Sequence, residues 1–368
     1  MSNFRIISPI SDLLTQVSSL QTKNTDLTTQ VYFNKWLTTT ATRQDWRTVA
    51  YSPSLSKFCA VSAQSSITDT KKKVGVSSDG LNWTLYGTGG SAPDNIPDLT
   101  WLEVCWSPKL SIFCAIAYAT SIGQTQLAMT SPDGITWTQR TTGFPIQYNS
   151  ICWSEELSLF VAVGGYNYTT ASNGFYSQYS SDGITWSSLY SLVSPTSGSS
   201  AVNKVIWVKE LGLFISQGNN ETMVSSNGTS WTYYGLPASS GVAGSGCIAW
   251  SKELGLLCCL GNSNGIVMLS SNGTTWTSYT CPSKSWVSLT WCAPLGLFVG
   301  IEYQNGASSS SSICYSTNGT SWTTVLNLPT ASSYRNIYYF GNMFIAIGRN
   351  GAVGLSIIKL DYSTYATI

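Results

Sequence analysis

Apolar and polar positions along this chain recur in blocks. Each block opens with an alternating run of apolar and aromatic residues, breaks at a Ser-x-x-Leu step and resumes in a Phe-rich run. The first copy is Trp46-Arg-Thr-Val-Ala-Tyr51-Ser-Pro-Ser-Leu55-Ser-Lys-Phe58-Cys-Ala-Val61. Later copies place Trp106, Leu110 and Phe113; Trp153, Leu157 and Phe160; Trp207, Leu211 and Phe214; Trp250, Leu254 and Leu257; and Trp291, Leu295 and Phe298. A seventh runs from Tyr334 to Tyr339 and on through Phe344 to Ile347. Alternation bounded by turn residues predicts pairs of strands. Downstream of the first six copies lies a second motif, Ser77-Ser-Asp-Gly-Leu-Asn-Trp83, repeated as Ser131 to Trp137, Ser180 to Trp186, Ser225 to Trp231, Ser270 to Trp276 and Ser316 to Trp322. Asp-Gly or Asn-Gly between β-prone runs predicts a tight hairpin with positive φ at both central residues. Together the two motifs give four strands in about 46 residues, close to the period of a propeller blade.

The seventh block continues through Val353-Gly-Leu-Ser-Ile-Ile358 and ends without a hairpin of this kind. Val31-Tyr-Phe-Asn-Lys-Trp36-Leu-Thr38 matches the missing outer strand, and Trp36 heads the series Trp83, Trp137, Trp186, Trp231, Trp276 and Trp322. The expectation is an all-β, seven-bladed β-propeller over residues 31–368. Residues 31–38 close its last blade and so remove an exposed sheet edge. Residues 1–30 form a separate N-terminal helical segment. Ile6, Ile10, Leu13, Val17, Leu20, Asn24, Leu27 and Val31 follow steps of four and three, a heptad seam with Asn24 as its polar member. Two readings fit it: a coiled coil that makes a homo-oligomer through residues 6–31, or a single helix laid against the propeller.

The hairpins resemble the Asp-box repeats of sialidases and related propeller proteins, Ser-x-Asp-x-Gly-x-x-Trp. One residue is missing between Asp and Gly in every copy. The resemblance implies a propeller over about 330 residues and says little about activity. A short, polar, uncharged coil leading into a β-rich head is similar to the stalk of a virion or phage fibre protein.

Composition narrows the chemistry. At 43% hydrophobic and 10% charged, the chain is far too apolar to be disordered. Lys and Arg total 18 against 17 acids, which gives no basic excess for nucleic acid or an anionic membrane. Histidine is absent, and with it the commonest general base and zinc ligand. No metal or other cofactor is expected. No signal-peptide h-region and no run of 18 apolar residues is found, so neither secretion by that route nor membrane insertion is expected. The ten cysteines recur at equivalent strand positions, such as Cys59 and Cys114 after Phe, and read as buried free thiols.

Candidate binding residues lie in the connections that vary between copies: 63–73, 85–99, 166–177, 188–202 and 303–312. Variable loops on a rigid scaffold are where sites usually sit. Tyr118, Tyr166, Tyr168 and Tyr303 lie in or beside such loops among polar neighbours, a composition suited to a host glycan or a glycoprotein surface. Trp101, Tyr148, Trp286 and Tyr334 share one repeat position and read as packing between blades. Arg47 and Arg335 occupy matching positions, but Arg43, Arg140 and Arg349 supply no third equivalent. The carboxylate pair of a glycosidase is not evident, so no catalytic residue is expected. Lys71-Lys-Lys73 reads as a solvated loop tip. The functional expectation is a non-enzymatic, virion-associated or tail-fibre-like recognition protein with virion or fibre proteins as partners, located in the virion after assembly in host cytoplasm. A cellular lectin-like or scaffold propeller and a divergent glycosidase are the alternatives.

Overall fold

The computed structural model describes residues 36–40, 45–63, 72–87, 95–192, 202–218, 221–236, 247–262, 264–303, 311–326, 328, 332–350 and 357–361. The helical segment expected over 1–30 and most of the closing strand expected over 31–38 lie outside these residues. The described chain is strand throughout, apart from one 3-10 turn at Ala293–Leu295. No described helix is long and apolar enough to cross a membrane.

The strands form five four-stranded sheets and one eight-stranded sheet, the latter two antiparallel meanders bridged between Gln147 and Tyr118. The innermost strands are Trp46–Ser52, Thr100–Ser107, Ile146–Ser154, Lys204–Val208, Ile248–Ser251, Trp286–Cys292 and Ser332–Phe340. Each touches the next in that order, and the last touches the first. This is an all-β propeller. We call the face where these strands begin the upper face and number the meanders as units in chain order. Strand direction alternates within a meander, so the Ser-x-x-Leu turns and the Asp-Gly turns share the lower face.

At the seam, Leu37–Thr38 pairs antiparallel with Ile357–Asp361, matching Leu37 with Lys359 and Thr38 with Ile358. Trp36 is buried among Tyr315, Tyr334 and Phe344. Thr40 then reaches the first unit, where its amide donates to the Leu81 carbonyl and its hydroxyl accepts from the Trp83 amide at 2.7 Å. The strand is thus tied on both sides of the seam.

The tight hairpins differ from expectation. Positive φ falls on the glycine alone, at 71° to 78° in Gly80, Gly134, Gly183, Gly228, Gly273 and Gly319. Pairing stops at Val76 and Thr84, so the turn spans the residues between them. Side chains replace the backbone ladder there: Ser77 Oγ accepts from the Gly80 amide at 2.9 Å, and Asp79 Oδ1 accepts from Leu81 and Asn82 at 2.8 and 2.7 Å. Trp83 Nε1 donates back to the Gly80 carbonyl. A wider loop held by an Asx turn needs only one left-handed residue.

Adjacent units are joined by one recurring hydrogen bond from an innermost strand to the next. Thr48 Oγ1 accepts from the Val104 amide (2.9 Å), Ser150 Oγ from Val205 (3.0 Å) and Ser288 Oγ from Ile337 (3.2 Å). Between the seventh unit and the first the link is of another kind, Asn336 Nδ2 donating to the Arg47 carbonyl. Trp46, Trp101, Tyr148, Trp286 and Tyr334 are fully buried between units, as their shared position implied. All ten cysteines are free thiols.

Candidate functional site

Five innermost strands carry a β-bulge at the same place, immediately after the buried aromatic. The register shifts between Trp46 and Thr48, Trp101 and Glu103, Tyr148 and Ser150, Trp286 and Ser288, and Tyr334 and Asn336. A bulge leaves one residue unpaired and re-aims its side chain. The unpaired residues are therefore Arg47, Leu102, Asn149, Val287 and Arg335, and all five line a cavity of about 220 Å³ at the upper end of the central channel. The same cavity receives Asn203 and Lys204 from the fourth unit.

Charge is concentrated here. Asp45 bridges the two arginines, one carboxylate oxygen to Arg47 Nη2 at 3.0 Å and the other to Arg335 Nε at 3.2 Å. The Arg335 guanidinium lies 5.6 Å from the centre of the Tyr303 ring, within cation–π range. Across the channel, Lys204 pairs with Glu103. Burial would lower the Lys204 pKa, but the Glu103 carboxylate outweighs it and raises the ammonium above its ordinary range. Glu103 stands where neighbouring units use Thr48 or Ser150, and its Oε2 still makes the joint, accepting from the Ile151 amide at 2.9 Å. Its other oxygen is the one that faces Lys204. The repeat is kept by one atom and broken by the next.

The six candidate residues of the sequence fall into two groups. Arg47, Arg335 and Tyr303 share the channel mouth. Tyr118, Tyr166 and Tyr168 gather away from it, around Gln147. Tyr166 and Tyr168 meet edge to face at 4.9 Å, and Gln147 Nε2 donates to the Tyr168 hydroxyl at 3.0 Å. Burial, then the neighbouring Tyr168, raises the Tyr118 pKa against the hydrogen bond from Gln147. These tyrosines are half-buried rather than displayed. The connection expected over 166–177 is mostly strand, with Tyr166 paired to Asn173 and Asn167 to Ser172. Lys73 is also not the solvated tip expected of it: its ammonium is buried, 2.9 Å from Asp98 and 3.4 Å from the Ala63 carbonyl. A carboxylate and a carbonyl within reach make the buried position tolerable.

Sequence reasoning missed Asp45, Glu103, Asn149, Asn203, Lys204 and Asn336. Aligning the innermost strands residue by residue shows the signal, because the joint position reads Thr48, Glu103, Ser150, Lys204, Cys247, Ser288 and Asn336. Its two charged members are the ones that meet in the channel.

Solved structures share this fold. Streptogramin B lyase superposes with a TM-score of 0.64 at 12% identity, covering 88% of this chain and 96% of that one. Selenomethionine-substituted virginiamycin B lyase from Staphylococcus aureus gives 0.65 at 11%, covering 88% and 97%. A catalytically inactive histidine-to-alanine variant of that lyase with quinupristin gives 0.62 at 10%, covering 88% and 97%. No family model and no curated protein matches the chain. Identity this low carries the propeller fold and not a reaction.

The expectation of a non-enzymatic, virion-associated or tail-fibre-like protein is corrected by these neighbours, which are lyases and not virion proteins. Catalysis was set aside because one glycosidase pattern was missing. A propeller gathers its reactive groups from the starts of strands far apart in sequence, where no local motif reveals them. None of the three neighbours is a sialidase or a viral protein; the likeness to sialidases rests on the turn motif alone, and the likeness to virion fibres on the heptad stripe before the propeller.

Proposed function

We propose that this chain is a seven-bladed propeller enzyme that acts on a small anionic substrate at the upper mouth of its channel. The ring of seven innermost strands and the pairing of Leu37–Thr38 with Ile357–Asp361 support the blade count and its closure by the chain's earlier strand. The observation that carries the functional reading is the departure from the repeat at one place. Bulges aim Arg47 and Arg335 into a cavity where Glu103 and Lys204 replace the hydroxyl residues of other units.

The arginines offer planar, permanently charged donors to a carboxylate or similar anion, in competition with Asp45. The neighbours of similar fold are lyases, and elimination, the general chemistry of a lyase, needs a group to accept a proton. One of them is inactive when a histidine becomes alanine, and this chain has no histidine. Glu103, steadied by Lys204, is the acceptor we assign in its place.

Incubation with quinupristin and with a panel of carboxylate-bearing small molecules, followed by mass spectrometry, tests this reading. Glu103→Gln keeps an acceptor for the Ile151 amide and should lower turnover about 10²-fold or more, the range of a lost general base. Arg47→Ala should chiefly raise KM. Turnover indifferent to both substitutions would remove the site from consideration.

A further inference from the structure

The Glu103–Lys204 pair lines two cavities, the upper one and a larger one of about 600 Å³ that runs from the pair down to the lower turns. The second is built differently from the first. Val49, Val104, Ile151 and Val205 give it aliphatic walls, and the half-buried Trp153 and Trp207 lie along it toward the mouth. Cys105 and Cys152 also line it, and burial pushes both thiols up, so they stay neutral and add no charge. A concave, mostly apolar space with a few polar groups at fixed places is the form that small-molecule sites take.

Its polar groups sit at the two ends. At the inner end Tyr338 reaches in from the seventh unit, and its hydroxyl is buried with no acceptor at hydrogen-bond distance. Burial raises the phenol, so it keeps its proton and remains a donor. A buried donor without an acceptor is costly, and a ligand atom placed there relieves it. At the mouth, Glu156 pairs with Lys209 at 2.8 Å and accepts from Trp207 Nε1 at 2.7 Å. Glu155 accepts from Trp153 Nε1 at 2.6 Å and enters no ion pair among the described residues. Lys204 and Lys209 thus answer two of the three carboxylates that line the cavity, Glu103 and Glu156, and leave the charge of Glu155 over. A spare carboxylate beside aromatic rings favours a cation over an anion.

We propose that the lower cavity is a second ligand site, which takes an organic cation. Its ammonium group lies at Glu155, its aromatic or aliphatic body between the tryptophans and the valines, and an oxygen acceptor at the Tyr338 hydroxyl. The site does not depend on the reaction assigned to the upper mouth.

Isothermal titration calorimetry on the full chain tests this with para-methoxyphenyl-butylamine and with the alcohol and carboxylate of the same skeleton. The amine should bind about threefold or more tighter than the alcohol, and the carboxylate should bind weakest. Glu155→Gln, a change at an exposed side chain, should erase the advantage of the amine over the alcohol. Tyr338→Phe keeps the ring stacked on Phe340. It should weaken the methoxy amine about fivefold and leave phenylbutylamine, which lacks the oxygen, unchanged. The proposal is overturned if the methoxy amine shows no binding at millimolar concentration, or if the carboxylate binds as tightly as the amine. It is equally overturned by an advantage that survives Glu155→Gln, or by a Tyr338→Phe effect that is the same for both amines.

Discussion

The two ends of the channel are built from the same strands and obey different rules. At the lower end the repeat is kept. Trp106, Trp153, Trp207 and Trp291 each pack at a tilt against a Phe of the neighbouring strand, ring centres 4.6 Å apart. Successive tryptophans donate to the turn carboxylate of the unit before: Trp207 to Glu156, Trp250 to Glu210 and Trp291 to Glu253. At the upper end the aromatic positions still repeat, but the bulge residues after them are Arg47, Leu102, Asn149, Val287 and Arg335. Uniformity across copies is what packing demands of every unit alike, and departure is what a single ligand demands of a few. In a repeat protein the copies serve as controls for one another.

The largest break in this comparison comes from removing what holds the ring for both ends. Deleting residues 1–38 takes away the Leu37–Thr38 pairing and the buried Trp36, and a single cooperative melt should give way to broad, multistep unfolding by calorimetry. Within the regular end, Phe214→Ala should cost about 4 kcal/mol by denaturant titration, because Phe214 is fully buried under Trp207.

The irregular end should answer non-additively. Lys204→Met leaves Glu103 buried without its partner and should cost about 3 kcal/mol, while Glu103→Gln/Lys204→Met together should recover most of that. Equal and additive losses would show that the pair is not the coupled element described above.

Acid separates the copies more gently. The turn is built on Asp79, Asp133 and Asp182 in the first three units and on Asn227, Asn272 and Asn318 in the fourth to sixth. Burial pulls the Asp79 carboxyl up, but donation from the Asn82 and Leu81 amides outweighs it and brings the pKa down to about 2. Asp133 and Asp182 are lowered in the same way. A depressed folded pKa gives stability present above the unfolded value near 4 and lost as pH falls toward 2. Asp79→Asn/Asp133→Asn/Asp182→Asn should flatten the fall in Tm across that window and lower Tm at pH 7 by the part the charged carboxylates contribute. The smallest effect belongs to the other lower turn, where Ser56, Ser111 and Ser158 hold φ of 50° to 54° at the place of Gly212, Gly255, Gly296 and Gly341. Each Ser→Gly change should stabilise by about 0.5 kcal/mol in thermal melts, the release of left-handed strain slightly exceeding the added chain entropy.

Legibility followed the repeat. The hairpins, the buried aromatic position, the free thiols and the role of Trp36 could be read because six or seven copies state them. The turn geometry was misread because Ser77 and Asp79 side chains, rather than two left-handed residues, carry the bend. Lys73 was misread because its partner Asp98 lies beyond a variable connection. The candidate site was half legible: Arg47 and Arg335 stood out as a matched pair, whereas Asp45 between them and Glu103 facing Lys204 depend on contacts between units. The bulges could not be seen at all, since an unpaired residue has no signature until its partner strand is in place.

Leu37 pairs with Lys359, so the strand at Leu37–Thr38 has no partner until synthesis has passed through all seven units. At about 5–20 residues per second that wait is on the order of tens of seconds. Through that interval the growing propeller is an open arc with two unsatisfied flanks, and closure is its last long-range event. The nascent propeller is therefore open to mispairing with another chain until its seventh unit is made, and chaperone capture should concentrate on that unit rather than on the first.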